Sequence, residues 1–228
     1  MLAAGIAECA RDVARLADQA LERSSCDEES LARLLTAVEA RVQAALPSLR
    51  PRGEPPPACA LGCATCCTVN VGTLPIEGAA AAAFLRQRAR PEELASRAAA
   101  LLGFHDGVRW LDDGERIRAR VRCPFLDARS GCSIHPARPL ACRALSSLDA
   151  DECRLALDER GQGDGQGLVR MNLLQKALYD EAMGALSEVL ARRGLDGRRR
   201  DVSGMTGYFL VDPARAAAWV ARARVPIE

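Results

Sequence analysis

Four cysteines stand within nine residues, in the run CALGCATCC (Cys59, Cys63, Cys66 and Cys67), and four more, Cys123, Cys132, Cys142 and Cys153, follow within one later stretch. No other feature so narrows what this chain can fold into. Thiolate is a soft, anionic ligand that captures zinc or an iron–sulfur cluster, and a short loop of closely spaced cysteines supplies several such ligands at small entropic cost. Cys63 and Cys66, at C-x2-C spacing, can converge on one ion or on neighbouring irons, and Cys59 adds a third thiol at C-x3-C. Adjacent side chains diverge, so Cys67 beside Cys66 points to two sites or to a polynuclear one. The later four are widely spaced, a weak signal alone. Their weight comes from the total of eight, which suits two four-thiolate zinc sites, or one four-thiolate iron–sulfur cluster with four cysteines left for another centre.

At 228 residues the chain can bury one sizeable core, or one core plus a small metal-organised subdomain. The formal charge of +1 gives no bulk electrostatic reason to expect nucleic acid or anionic lipid as a partner. Lys176 is the lone lysine among many arginines, which with the abundant alanine reads as codon bias of a GC-rich, bacterial genome. Glu8 and Asp12 interrupt the opening residues and no basic stretch precedes an apolar run, so no secretory signal is expected. The longest uncharged apolar run, GAAAAAFL at 78–85, is far short of the roughly 20 residues a membrane span requires. The expected location is cytoplasmic, where reducing conditions disfavour disulfides and clustered cysteines serve as metal ligands or redox groups.

Ile6, Cys9, Val13, Leu16 and Ala20 recur at spacings of three and four, predicting a helix over about 3–23. Ser25 and Glu28 have capping-box spacing, and a second apolar stripe runs from Leu31 to Leu46, where Pro47 should end it; the two helices should form a hairpin. The proline-rich segment 47–58 reads as an extended connector. Pro75 opens a helix to about Arg88, Pro91 another to about Leu102, and 103–116 reads as loop. IRARVRC, from Ile117, alternates with period two, and the turn-rich run that follows predicts a short hairpin joining Cys123 to Cys132. Helices are expected after Pro139, around Cys153, over 168–193 with Gly194 as terminator, and from Pro213, with 161–167 a flexible loop and 201–211 a less defined apolar segment. The expected architecture is mainly α: an N-terminal helical hairpin (1–46), the connector (47–58), a cysteine-cluster metal-binding domain with a small β-hairpin (59–160) and a C-terminal helical extension (161–228).

Eight thiolates repel one another unless compensated, and Arg118, Arg120, Arg122, Arg138 and Arg143 lie near enough in sequence to contribute. Arg138 and Arg143 are the candidates for donors to sulfur, against membership of a solvated helix face. Cys9, on an apolar helix face, reads as a buried small hydrophobe, and Cys26 as a free thiol near a helix start. His105 reads as an ordinary loop residue, Asp112, Asp113 and Glu115 as a solvated turn, and Trp110, Tyr208 and Trp219 as packing residues.

The run CALGCATCC, followed by RVRCPFLDARSGCSIHPARPLACRALSSLDADEC, resembles the YkgJ-like cysteine-cluster family of zinc- or iron-chelating proteins, whose pattern combines a CC-ending cysteine run with CPFL, CSIY and RPxxCR. The resemblance covers about 59–153 and implies metal binding through Cys59, Cys63, Cys66, Cys67, Cys123, Cys132 and Cys142; Cys153 matches only a subset with a further cysteine. The tail 168–222 looks like an extension that some bacterial members carry. His135 stands where the family has tyrosine after CSI, and it either takes the aromatic's packing place or adds an imidazole ligand; with eight thiols at hand, packing is favoured.

Metal or cluster is therefore the expected partner, as zinc, iron or an iron–sulfur centre. The alternatives are enzymatic or sensory. Flagellin lysine N-methylases resemble this cysteine pattern, which implies that such a cluster can accompany methyl transfer, yet no glycine-rich cofactor loop follows a strand here. The C-x3-C-x2-C spacing also occurs in radical S-adenosylmethionine enzymes, whose alternating strands and helices are missing from this pattern. A thiol redox sensor built on Cys66 and Cys67 needs fewer than eight cysteines.

Overall fold

The computed structural model describes residues 2–22, 27–60, 62–162, 167–222 and 224–227, which excludes Cys26, Ser25 and most of the 161–167 loop. The first helix, α1 (Leu2–Leu21), buries Cys9, Val13 and Ala17, the stripe expected from its periodicity. The second, α2 (Glu28–Leu49), starts where the Asp27 side chain accepts the Ser30 N–H at 2.8 Å. Helix α2 does not end at Pro47: proline sits in its last turn, and Arg50 closes the helix onto the Leu46 carbonyl at 3.0 Å.

Two prolines open the next helices, α3 (Pro75–Arg86) and α4 (Pro91–Val108). Helix α4 runs through residues expected to be loop, because its last turns are packed inward through Leu101, His105 and Val108. After α5 (Asp113–Arg118), capped by Asp112, the chain is irregular except for a 3-10 turn at His135–Ala137, and the strand alternation expected at Ile117 is not realised. The expected 123–132 hairpin turns back on itself and shrinks to one antiparallel bridge between Leu126 and Cys132. The two-residue ladder joins β1 (Gly72–Thr73) to the distant β2 (Arg200–Asp201), with Gly72 facing Asp201. Between them lie α6 (Leu140–Ala144), α7 (Ala150–Gln162) and α8 (Leu173–Arg192), the last stopped by Gly194 at a φ of 72°. Helix α9 (Val202–Val211) and α10 (Ala214–Val220) complete the chain.

The molecule is thus mainly helical with a small antiparallel β element. Helix α1 packs on α2 and α8, and α3 and α4 both pack on α9. Helices α3 and α9 are apolar and buried almost all round, as expected of elements in the centre of the molecule. They touch closely enough that a Cβ at Gly78 would run into the Met205 side chain and lie 3.1 Å from the Met205 carbonyl carbon. One hydrophobic cluster takes in Val13, Val38, Ala79, Phe125, Ile134, Leu140, Leu186, Phe209 and Trp219. The cysteine-rich segment therefore rests on the same core as the helices on either side of it.

Glu77 ties that segment to the scaffold. Its side chain is 1% exposed, closes the first turn of α3 by accepting the Leu74 N–H at 2.8 Å, and reaches the Leu140 N–H at 2.6 Å, where α6 begins. Burial pushes the Glu77 carboxyl up to about 7, against the pull of these two N–H donors and of Arg199 and Arg143.

Candidate metal centre

Seven of the eight clustered cysteines line a single cavity of about 320 Å3: Cys59, Cys63, Cys66 and Cys67 from the first run, Cys123, Cys132 and Cys142 from the later stretch. The irregular 59–71 loop can wrap this cavity because short turns fold it, with Cys63 N–H on Ala60 O and Cys67 N–H on Ala64 O, both at 3.0 Å. The Cys123 N–H then donates to Cys67 O at 2.7 Å and pins the two cysteine segments together. Helix α6 carries Cys142, and the eighth cysteine, Cys153, is on α7.

Several of the sulfurs accept peptide N–H donors. The backbone N–H groups of Phe125 and Ile134, each two residues beyond a cysteine, donate to the sulfurs of Cys123 and Cys132, and the Ser147 N–H donates to Cys59 Sγ at 3.4 Å. Burial nonetheless pushes the Cys123 thiol up to about 11 and Cys142 up to about 12, so each stays protonated at neutral pH until something positive replaces the proton. Within the adjacent pair, a hydrogen bond between the two side chains drives Cys66 up, with burial adding to it, and Cys67 down.

Among the described residues no three histidine, cysteine or carboxylate side chains converge closely enough to grip a single ion. A tetrahedral zinc with Zn–S of ≈ 2.3 Å holds its sulfurs about 3.8 Å apart and leaves no void. The thiols here surround a volume instead, and their chemistry fits a soft metal that draws them inward or a centre of several atoms that spans the space.

Of the arginines expected to compensate charge, Arg138 does so: it lines the cavity and lowers Cys66, Cys67, Cys132 and Cys142. Its guanidinium also donates to Cys142 O at 2.7 Å. Arg143 serves mainly as a strut, paired with Glu39 and donating to the carbonyls of His135, Pro136 and Arg138. Arg120 and Arg122 turn outward, to Asp158 and to Ser130 Oγ, because the turn after α5 aims them at solvent. Arg116 takes the inward place, and nothing in the local sequence distinguishes it from its neighbours. It is 2% exposed, borders a cavity of about 30 Å3 that Cys66, Cys67, Cys123 and Cys142 also line, and lowers Cys123. That space is enough for about one water.

His135 is an exposed residue at the cavity rim, and burial, then Arg138 and Arg143, lowers its pKa and keeps the ring neutral. His105 is no loop residue: it is 3% exposed, its ring fills the space left by Gly204, and its Nδ1 lies 3.5 Å from Asp201 Oδ1. Trp110 is not a packing residue, being 75% exposed beside Arg109, whereas Trp219 is buried and donates to Asp196 O at 3.0 Å. Cys9 is buried in the core as expected. Asp112 caps α5, and Asp113 accepts the Asn70 N–H at 2.6 Å.

No helix among the described residues is long and apolar enough to cross a membrane. Neither the curated proteins nor the solved structures contain a match to this chain. Residues 58–159 match the family model CxxCxxCC, described as a "putative zinc- or iron-chelating domain", and the match takes in all eight clustered cysteines. The central segment of this chain, 58–159, is therefore similar to the YkgJ-type cysteine-cluster domains.

Proposed function

We propose that this protein holds zinc or iron through its clustered thiols, and that the 59–160 segment depends on that metal for its shape. The observation that carries the reading is the wall of seven cysteines around one cavity, backed by peptide N–H donors and by Arg138. Metal supplies the positive charge that lets the protonated thiols ionise; the chain supplies the N–H donors, the cation and a surrounding core that limits water. An iron–sulfur centre is the second reading. The spread of the thiols around about 320 Å3, with no trio closed on a point, favours a ligand of several atoms over one bare ion.

Alkylation tests the ligand set directly. In protein purified without oxygen, the seven cavity thiols should resist N-ethylmaleimide, although Cys59 and Cys63 are exposed, and should become reactive after chelation. Cys9, buried between helices, should stay protected in both states. Peptide mapping that finds Cys59 and Cys63 equally reactive before and after chelation would count against the proposal.

A further inference from the structure

A second cavity, of about 270 Å3, lies between α2, α3 and the 136–143 segment. No cysteine lines it, and it shares one wall residue, Arg138, with the thiol cavity. Much of its lining is apolar: Leu35 of α2, Ala80, Ala83 and Phe84 of α3, and Leu140 of α6. The room exists because α3 turns alanines toward α2 at this level, where longer side chains would close the gap. Thiolate chelation makes no use of this space.

Charge around the cavity is unbalanced. Arg88, Arg138 and Arg143 line it against the carboxyls of Glu39 and Glu77, and both carboxyls are already engaged. Glu39 pairs with Arg143, and Glu77 accepts the N–H groups of Leu74 and Leu140. Arg143 gives its other donors to the carbonyls of His135, Pro136 and Arg138. Among the described residues no carboxylate pairs with Arg88 or Arg138. Arg88 lies 3.6 Å over the Phe84 ring and donates to Phe84 O at 3.2 Å, and Arg138 donates to Cys142 O at 2.7 Å. A guanidinium carries five N–H donors, so each of these two has donors to offer a ligand.

We infer that this cavity binds a small organic monocarboxylate with an apolar body, its carboxylate meeting Arg88 and Arg138 and its body lying against Leu35, Phe84 and Leu140. The planar guanidinium fork matches a carboxylate, and an apolar lining with a few convergent polar groups is what holds a hydrocarbon body. A dianion such as inorganic phosphate fits poorly, because Glu39 and Glu77 share the wall and the apolar side chains cannot solvate a second charge. About 270 Å3 falls below the roughly 300–1,000 Å3 of pockets for drug-sized ligands, which suits a single ring or a short branched chain. The site stands apart from the chelation reading and does not depend on bound metal.

The test is titration of the isotope-labelled full chain with benzoate, followed by amide NMR shifts, with benzamide as the neutral isostere and inorganic phosphate as the anion without an apolar body. Benzoate should shift amides of 32–39, 80–88 and 136–143 saturably. It should bind at least about 10-fold more tightly than benzamide, the ratio that loss of one charge-assisted hydrogen bond gives. Ala32→Phe fills the cavity from α2, and Arg88→Gln removes one of the two receiving charges; each should weaken benzoate by about 10-fold. Arg88 is exposed, so R88Q should fold as wild type does and decides the matter where A32F does not fold. The proposal is overturned by the lack of a saturable shift, by equal affinity for benzoate and benzamide, by phosphate binding more tightly than benzoate, or by benzoate binding that R88Q leaves unchanged. Shifts centred on 59–67 would place benzoate at the thiols and overturn it as well.

Discussion

Stripping the metal with a strong chelator should unfold the cysteine segment while most of the helical signal survives. Thiolate coordination of zinc is worth roughly 10 kcal/mol or more at neutral pH, comparable to the whole stability of a domain, about 5–15 kcal/mol. Among the described residues of 59–71 and 121–139, regular structure is limited to a β-bridge and a 3-10 turn, Phe125 and Ile134 anchor the second stretch in the core, and the cysteines line one cavity. The surrounding helices keep their own contacts, α1 on α8 and α3 on α9. Hydrogen exchange should therefore show amides of 59–71 and 121–139 losing protection by a factor of at least about 1,000 after chelation, the ratio that about 4 kcal/mol of local stability gives. Helices α1, α8 and α9 should change far less. Unchanged exchange across both stretches would show that metal is not what orders them.

The second large effect is expected at Glu77. Its carboxylate satisfies two buried N–H groups, one of which begins the helix that carries Cys142. Glu77→Ala leaves both donors without a partner, at about 1–3 kcal/mol each, so a loss of about 4 kcal/mol is expected in denaturant unfolding. The pH dependence gives a second handle. Because burial raises this carboxyl from an ordinary 4.5 to about 7, the folded state binds the proton more tightly than the unfolded chain does. Stability contributed by the protonated form is full below about pH 4.5, declines as pH rises to about 7, and is flat above. The total is about 3 kcal/mol. Glu77→Gln cannot ionise, so the difference in stability between wild type and E77Q should shift in favour of E77Q by that amount between pH 4.5 and 7.5. A difference constant across this range would mean the carboxyl titrates normally.

The candidate site was largely legible in the chain, and the fold only in part. Soft ligands announce themselves by type and spacing, and seven of the eight cysteines so marked line one cavity. Amphipathic stripes likewise gave α1 and α2, because each buries one face and exposes the other. Elements buried all round left no such period: α9 is apolar on every side and read only as an undefined segment. The FHDG stretch looked like loop because its glycines and polar residues disfavour helix, but packing of His105 against Gly204 of α9 overrides that local preference. IRARVRC alternated by chance of composition, and the reciprocal cap between Asp112 and Glu115 made helix of its first residues. A ladder joining Gly72 to Asp201 has no local signature at all. The inward turn of Arg116, among arginines that look alike in sequence, is likewise decided only by tertiary structure.

The most direct test of the account is the metal and acid-labile sulfide content of the full chain purified without oxygen, taken with its visible absorption spectrum. Bound zinc in colourless protein, or iron with sulfide and a broad visible band, is the predicted result, and the two outcomes separate simple chelation from an iron–sulfur centre. Metal-free protein whose eight clustered cysteines are all free thiols would contradict it.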